Sequence, residues 1–445
     1  MRTHGKLILV CLVAVISSFI AWSCASRSPA RTNAGPAIET PAPIRRQLEP
    51  LPQRPLSARM QELRTRAQQE VSTLRGLSFQ SNVGMAELSG WEYGTRTREM
   101  AETIGGEELR TLSRLAAAGG VLPEGTDLAS LAAGFASVSA GATYSPLDKQ
   151  VLLVGKSRSD SLIKHEFVHA LQDQHFDLMR LLLVRPYNFD RTEAVFALVE
   201  GDAMNVQRRA EEGEAYGRKS LEEVTRQESA RFAAYRQEIG RLFPPLITET
   251  FIFRYRDGAR FVEALRRKNG EQAVDALFRR PPVSSEQILH PEKYLDGELP
   301  REIQLDQEGF AARGWQLTAS TPLGEIGLRG LLMAGVVDQS AIRAAAGWNG
   351  DRAYLFEKSG GTPLFVWKSL WDRPTDALEF FEAYNALQRA RKATQVNDSL
   401  NSNDAAQNIW TDGQRLTLIR REGEQVIIIR GAEGDLQSAL ELASR

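Results

Sequence analysis

Cysteine is nearly absent from this chain. Cys11 and Cys24 are the only two in 445 residues, and both lie near the N-terminus. That excludes a disulfide framework for the rest of the chain, and with it any metal centre built on thiolates. Histidine is scarce as well, with five residues in all. No sign of charge dominates: 55 Lys and Arg stand against 56 Asp and Glu, a formal net charge of −1. No long basic run occurs, so nucleic acid is not expected as a partner. Beyond residue 24 no apolar run approaches the roughly 20 residues that a membrane-spanning helix needs. What remains is 42% hydrophobic and 25% charged, a globular composition at a length that suggests two or three domains.

The N-terminus reads as a targeting segment. Arg2 and Lys6 precede an apolar stretch over 7–22, about the length of a signal-peptide core. Ala21-Trp22-Ser23-Cys24 resembles a bacterial lipobox, with Ala21 in place of the usual Leu and a bulky Trp22. We therefore expect a lipoprotein-type signal over 1–24, with Cys24 lipidated after cleavage. The protein would then be held at a membrane of the bacterial cell envelope, facing the periplasm or the surface. Residues 25–57, with prolines at 29, 36, 41, 43, 50, 52 and 55, read as a disordered tether.

Residues 58–300 read as mainly helical. Helices are expected over 57–74, 96–104, 106–118 and 127–138, broken at Gly105-Gly106, Gly119-Gly120 and Pro123. Between 141 and 154 the pattern changes to two short strands around a turn at Pro146-Leu147-Asp148-Lys149, a short edge hairpin. Residues 301–445 read as a small α+β domain. Four apolar runs (RAYLFEK, PLFVWKSLW, RLTLIRR and QVIIIRG) alternate with helices at 375–392 and 434–443. The aromatic residues there, Trp348, Trp371, Phe365 and Phe380, read as core. The fold class is α+β.

The chemistry is concentrated in His165-Glu166-Phe167-Val168-His169. On a helix, positions 165 and 169 leave the same face one turn apart, so two imidazoles can grip one cation. Glu166 lies beside them, placed to act on a water without being a ligand. This is the HExxH pattern of zinc peptidases. Ser159 or Asp160 would cap the helix. A catalytic zinc takes three protein ligands and keeps one position open. With thiolates excluded, the third must be His, Asp or Glu. Glu200, in Ala197-Leu198-Val199-Glu200-Gly201-Asp202-Ala203, is preferred, because a carboxylate in an apolar helical stretch needs a reason to be there. On this reading its helix runs from about 190 to 212, antiparallel to the motif helix, gripped by Val195, Phe196 and Val199. Glu193, two turns earlier, is the rival, and His290 is a further possibility. Six residues beyond His169, His175 points elsewhere, and Gln172, Gln174 and His175 read as structural.

HEFVHALQD resembles the thermolysin-type helix, and VEGDA is similar to the glutamate helix of aminopeptidase-like relatives, which together define the gluzincin zinc peptidases. The pieces HEFVHALQDQHFDL, ALVEGDA, PPVSSEQILHPEKY and AAAGWNGDRAYLF also resemble a group of bacterial lipoproteins assigned as metallopeptidases, over much of 140–355. The resemblance implies a mostly helical, zincin-like catalytic region, Zn2+ as cofactor, and peptide-bond hydrolysis on a protein or peptide substrate. In such enzymes the strand before the motif helix lies along the cleft and pairs with the substrate backbone. Glu166 would be the base, and His290 and Tyr294 are the candidates to stabilise the oxyanion. The acid that thermolysin-like enzymes carry four residues after the glutamate is Met204 here. Asp173 or Asp202 would then orient a ligand imidazole. Two other readings stay open: a non-catalytic envelope lipoprotein with a structural metal, and a zinc amidase acting on cell-wall crosslinks.

Overall fold

The computed structural model describes residues 51, 54–128, 130–131, 141–154, 159–183, 186–401 and 405–444. The signal segment, Cys24, nearly all of the tether and most of the expected helix at 127–138 lie outside these residues. Among the described residues, no helix is long and apolar enough to cross a membrane. The fold is α+β, with a helical body carrying a three-stranded sheet and a seven-stranded antiparallel sheet in the C-terminal third.

The helical body starts with α1 (Ala58–Arg75), capped by Ser57 and closed by Gly76 in the left-handed region. Strand β1 (Gly84–Leu88) follows, then α2 (Gly90–Ala118), which runs unbroken through Gly105-Gly106. Two helices were expected here. A reciprocal capping box between Ser89 and Glu92 starts the helix at Gly90, six residues before the expected 96, and the long helix absorbs the cost of Gly105 and Gly106, about 1 kcal/mol each. At its far end Leu115 and Ala118 pack among the tryptophans of the C-terminal sheet. A Cβ on Gly119 would overlap the Phe365 ring. The expected boundary near 300 is therefore not a gap in packing.

Strands β2 (Ala142–Ser145) and β3 (Gln150–Val154) form the expected hairpin, with Lys149 at positive φ in its turn. The hairpin does not stand alone. β1 pairs in parallel with β3, from Gly84 opposite Gln150 to Leu88 opposite Val154. The order is β1-β3-β2, so β3, the strand leading to the motif helix, is central and has no free edge. The edge strands are β1 and β2.

Helices α3 (Asp160–Phe176) and α4 (Phe189–Glu212) are the heart of the body. Ser159 caps α3 through the Leu162 N–H, and Asn188 caps α4 through the Arg191 N–H. Both helices are buried on nearly every side. A helix buried all round must pair every polar side chain it carries, and this requirement builds the site described below. The two run antiparallel, as expected; polar contacts join them at the site, and Ala203, Met204 and Val206 share a buried cluster with Phe167, Val168 and Leu171. Val195, Phe196 and Val199 grip the opposite side, in a cluster with Phe253, Phe261 and Ile288. There a helix over Pro245–Ile252 continues through a π-helical turn, Phe253–Asp257, into α6 (Gly258–Asn269), with α5 (Leu221–Ile239) alongside. α4 and α6 cross at glycines: a Cβ on Gly201 would overlap the Gly258 backbone, and one on Gly258 would overlap the Ala197 carbonyl. Neither position accepts a side chain without parting the helices beside Glu200.

The C-terminal sheet has the order β4-β5-β6-β10-β9-β8-β7, comprising Gln316–Thr321, Trp348–Glu357, Leu364–Trp371, Gln425–Gly431, Leu416–Glu422, Ala405–Thr411 and Thr394–Asn401. Helix α7 (Gly324–Leu332) leads from β4 back to the helical body, where Ile326 joins the cluster around Phe196. Helix α8 (Pro374–Ala390) covers one face with Phe380, Tyr384 and Leu387 over Trp348, Trp367 and Trp371. Helix α9 (Glu433–Ala443) covers the other with Leu436 and Leu440 near Tyr354, Phe356 and Ile427. Coverage on both faces explains the near-continuous apolar runs in the inner strands. Trp348, Trp371, Phe365 and Phe380 are core, as expected. The buried Asp351 accepts hydrogen bonds from Trp348 Nε1 (3.0 Å) and Trp367 Nε1 (2.7 Å).

Candidate metal centre

Helices α3 and α4 bring His165, His169 and Glu200 together. Glu200 Oε2 lies 3.1 Å from His165 Nε2 and 3.4 Å from His169 Nε2. Nitrogen and oxygen donors sit about 2.0–2.1 Å from zinc, and the edges of such a tetrahedron are about 3.3–3.4 Å long. The cage therefore has the dimensions of a zinc site, and its three ligand atoms all lie within 4.8 Å of one another. Relative exposure is 0% for His165, Glu166 and Glu200 and 3% for His169. Three buried atoms here have no hydrogen-bond partner: His169 Nε2, Glu200 Oε1 and Glu166 Oε1. Orphaned donors and acceptors at zero exposure are costly, at about 1–3 kcal/mol each. A cation in the cage would satisfy the first two, and a water held beside it would satisfy Glu166.

The imidazoles are oriented by two glutamines, and this the sequence reading missed. His169 Nδ1 is 2.9 Å from Gln172 Oε1, and His165 Nδ1 is 3.0 Å from Gln207 Oε1. The wider network fixes which way each amide points. Gln172 Nε2 donates to the Val199 carbonyl (3.0 Å) and to Asp202 Oδ2 (2.9 Å). Gln207 Nε2 donates to Ser161 Oγ (2.7 Å) and Glu211 Oε1 (3.0 Å). With both amide NH2 groups committed, each Oε1 must accept from a histidine Nδ1–H. Both rings are thereby held as the tautomer whose Nε2 lone pair faces the cage. Spacing offered one signal: Gln172 lies three residues after His169, and Gln207 two turns after Glu200.

The two expected orienting acids act at one remove. Asp202 holds Gln172 and is itself paired with Arg75 Nε at 3.0 Å. Asp173 touches no ligand imidazole. It accepts from Tyr144 OH (2.7 Å), Lys149 Nζ (2.7 Å) and the Leu178 N–H (3.1 Å), which fastens the edge strand β2 to α3. The Tyr144 N–H in turn donates to Glu166 Oε2 at 2.7 Å. Glu166 thus has one oxygen fixed by β2 and the other free.

Charge within the cage follows from burial and proximity. Burial pushes the Glu166 carboxyl up to about 8, against the pull of His169. Burial disfavours charge on His169 too, yet Glu200 beside it raises the imidazole to about 9. Burial would raise Glu200, but His169 and His165 win and hold it near 2. Burial lowers His165. The cage is thus built for one positive charge next to Glu200. A divalent cation supplies that charge more fully, leaving both rings neutral and favouring ionised Glu166.

The rival ligand is accounted for otherwise. Glu193 is gripped at both oxygens by Arg254, each contact 2.6 Å, and that guanidinium also lies over the Phe196 ring. Nor are the two expected oxyanion donors at the cage. His290 Nε2 pairs with Glu325 at 3.0 Å, and Tyr294 OH donates to the Arg280 carbonyl at 2.8 Å. Their segment is fastened to the start of α4, where the Ser285 N–H donates to Asp190, ten residues before Glu200. At 1.5 Å per residue that is about 15 Å along the helix. Instead the structure sets Tyr255 against the cage, its ring stacked on His165 with centroids 6.3 Å apart. Tyr255 sits on the π-helical turn, a local distortion common at functional sites. A second group of acids, Glu286, Glu298 and Asp372, already holds a cation: Lys293 Nζ lies 2.7, 2.7 and 2.8 Å from them.

Residues 316–441 match a family model described as a domain of unknown function, DUF8575. The match covers the C-terminal sheet and its helices and leaves the cage outside it. No curated protein and no solved structure matches the chain.

Proposed function

We propose that the protein is a zinc-dependent metallopeptidase of the bacterial cell envelope. The observation that carries this reading is the convergence of His165, His169 and Glu200, with a buried, half-free Glu166 carboxylate beside them. When bound, zinc would polarise the scissile carbonyl and acidify a water. The chain's own residues do the rest. Gln172 and Gln207 keep the imidazole lone pairs on the cage. The Tyr144 N–H aims Glu166, whose second oxygen takes a proton from water and delivers it to the departing amine. Exclusion of bulk water strengthens each of these interactions. The outer edge of β2, which pairs with no strand among the described residues, is where an extended substrate would pair once the chain that covers it parts. Protein or peptide is the substrate class, and a lipid on Cys24 would hold the enzyme at the membrane. Fatty-acid labelling should vanish in Cys24→Ala, and an unlabelled wild type would reject the anchor.

One observation favours a second reading, a structural metal. The centre is closed on every side, with no ligand more than 3% exposed, and closed sites are typical of structural zinc. Hydrolysis of a polypeptide at this depth requires the covering chain to part. The two readings separate on the purified protein. The peptidase reading expects about one zinc per chain and cleavage of casein that a chelator abolishes and zinc restores. Stoichiometric zinc with no cleavage of any protein or peptide offered would leave the structural reading standing. Absence of metal uptake would reject both.

A further inference from the structure

We infer that Arg75 is a positioning residue of the metal centre: through Asp202 and Gln172 it fixes the ring orientation of His169, so the docking of α1 governs how tightly the cation is held. This rests on the metal-centre reading above and extends it to a helix far from the motif in sequence.

Arg75 is the last residue of α1 and is 1% exposed. Its Nε donates to Asp202 Oδ2 at 3.0 Å, and its two terminal nitrogens lie 2.8 Å from Asp275 and 3.6 Å from Glu271. It is therefore held from three sides and presents one fixed donor to Asp202. The same Asp202 oxygen accepts from Gln172 Nε2, whose amide then has only one way to face His169. Loss of the guanidinium leaves a buried carboxylate without its counter-ion, and such groups do not hold their place. The amide then loses the charged one of its two acceptors and keeps only the Val199 carbonyl, so its orientation is held less firmly. Once flipped, it sets its NH2 against His169 Nδ1 and selects the tautomer with hydrogen on Nε2, which cannot bind a metal. The His165 branch has no such dependence. Gln207 is held by Ser161 and Glu211, which lie on α3 and α4 themselves. The cage thus has one ligand secured wholly within its own helix pair and one whose orientation also depends on α1.

The test compares wild type, Arg75→Met, Arg75→Lys and Asp202→Ala as full chains. Zinc and cobalt(II) affinities are measured by competition with a chromophoric chelator, and the visible spectrum of the cobalt form and the melting of the metal-free protein are followed alongside. Arg75→Met should weaken metal binding roughly 10–100-fold, the usual effect of losing an outer partner of a ligand, and should alter the cobalt spectrum. Arg75→Lys should recover part of the loss. Asp202→Ala, which removes the shared acceptor, should weaken binding at least as much as Arg75→Met, and the double variant should be no worse than Asp202→Ala alone. A purely structural Arg75 would lower the melting temperature and leave affinity and spectrum alone. Affinity of folded Arg75→Met within about twofold of wild type overturns the inference. If that variant does not fold, unchanged affinity in Asp202→Ala, which removes the oxygen shared by Gln172 and Arg75, overturns it equally. A wild type that binds neither metal brings down the metal-centre reading itself, an outcome distinct from the other two.

Discussion

Glu166→Gln is expected to keep its zinc and lose peptide hydrolysis by about 10²–10⁴-fold, the usual contribution of a positioned general base. The substitution is nearly isosteric. Its amide oxygen can still accept the Tyr144 N–H that holds Oε2 now, and no ligand atom changes. What disappears is the ability to take a proton. Folding should not suffer in the metal-free protein. Burial raises the Glu166 carboxyl to about 8, against about 4.3 unfolded. The folded state therefore holds the extra proton between those values, and wild-type stability falls as pH rises through that window. Glutamine carries no such penalty, so the metal-free variant should melt no lower than wild type at neutral pH. Metal content per chain, kcat/KM on a peptide and thermal melting check the three parts separately. Full hydrolysis in Glu166→Gln would remove Glu166 from the mechanism. Wild type and variant that are equally inert but equally loaded with zinc would point to the structural reading.

Much of the site was legible because its logic is local. The two histidines are one turn apart in any helix, Ser159 precedes that helix as a good cap, and Glu200 stood out as an acid amid Val195, Phe196, Ala197, Leu198 and Val199. The orienting groups were not legible, because they depend on how α3 and α4 cross. Antiparallel helices with this register put Gln207 over His165 and leave Asp173 facing β2. Nothing in the local pattern of either helix sets that register. The glycine pair that fixes the neighbouring crossing, Gly201 and Gly258, is separated by the rest of α4, a short helix over Glu214–Arg218, α5, the helix over Pro245–Ile252 and the π-helical turn. The same reason hid β1. Its partner β3 lies far along the chain, and a parallel pairing leaves no turn to announce it. In the C-terminal region, the inner strands β5, β6, β9 and β10 declared themselves by apolar runs covered on both faces. The outer strands β4, β7 and β8 carry mixed residues such as Gln316, Thr318, Asn408 and Thr411, and only the ladder identifies them. His290 and Tyr294 were chosen for the chemistry in their segment. Position decided otherwise, because Ser285 ties that segment to the far end of α4.

The choice between Glu200 and Glu193 makes the sharpest contrast, because each acid is buried for a different partner. Glu200→Ala removes a ligand, and zinc affinity should fall by more than the roughly 10–100-fold that follows loss of an outer partner. The helix itself should tolerate it, since alanine is the best helix former and the site loses a carboxylate with one oxygen already unpartnered. Glu193→Ala should behave in the opposite way. The cage keeps all three donors, so zinc stoichiometry should be unchanged. Arg254, however, loses both of its 2.6 Å contacts while remaining largely enclosed. An uncompensated buried charge costs about 3–5 kcal/mol. The melting temperature of Glu193→Ala should therefore drop steeply, with or without metal. Equilibrium dialysis against zinc and thermal melting, run on both variants, give a crossed pattern: affinity lost with stability kept, and stability lost with affinity kept. Reversal of that pattern would make Glu193 the ligand, with Arg254 as its release. That outcome would require α4 to slide along α3 by two helical turns, about 10 Å, and Gln172 and Gln207 would then have no imidazoles to hold.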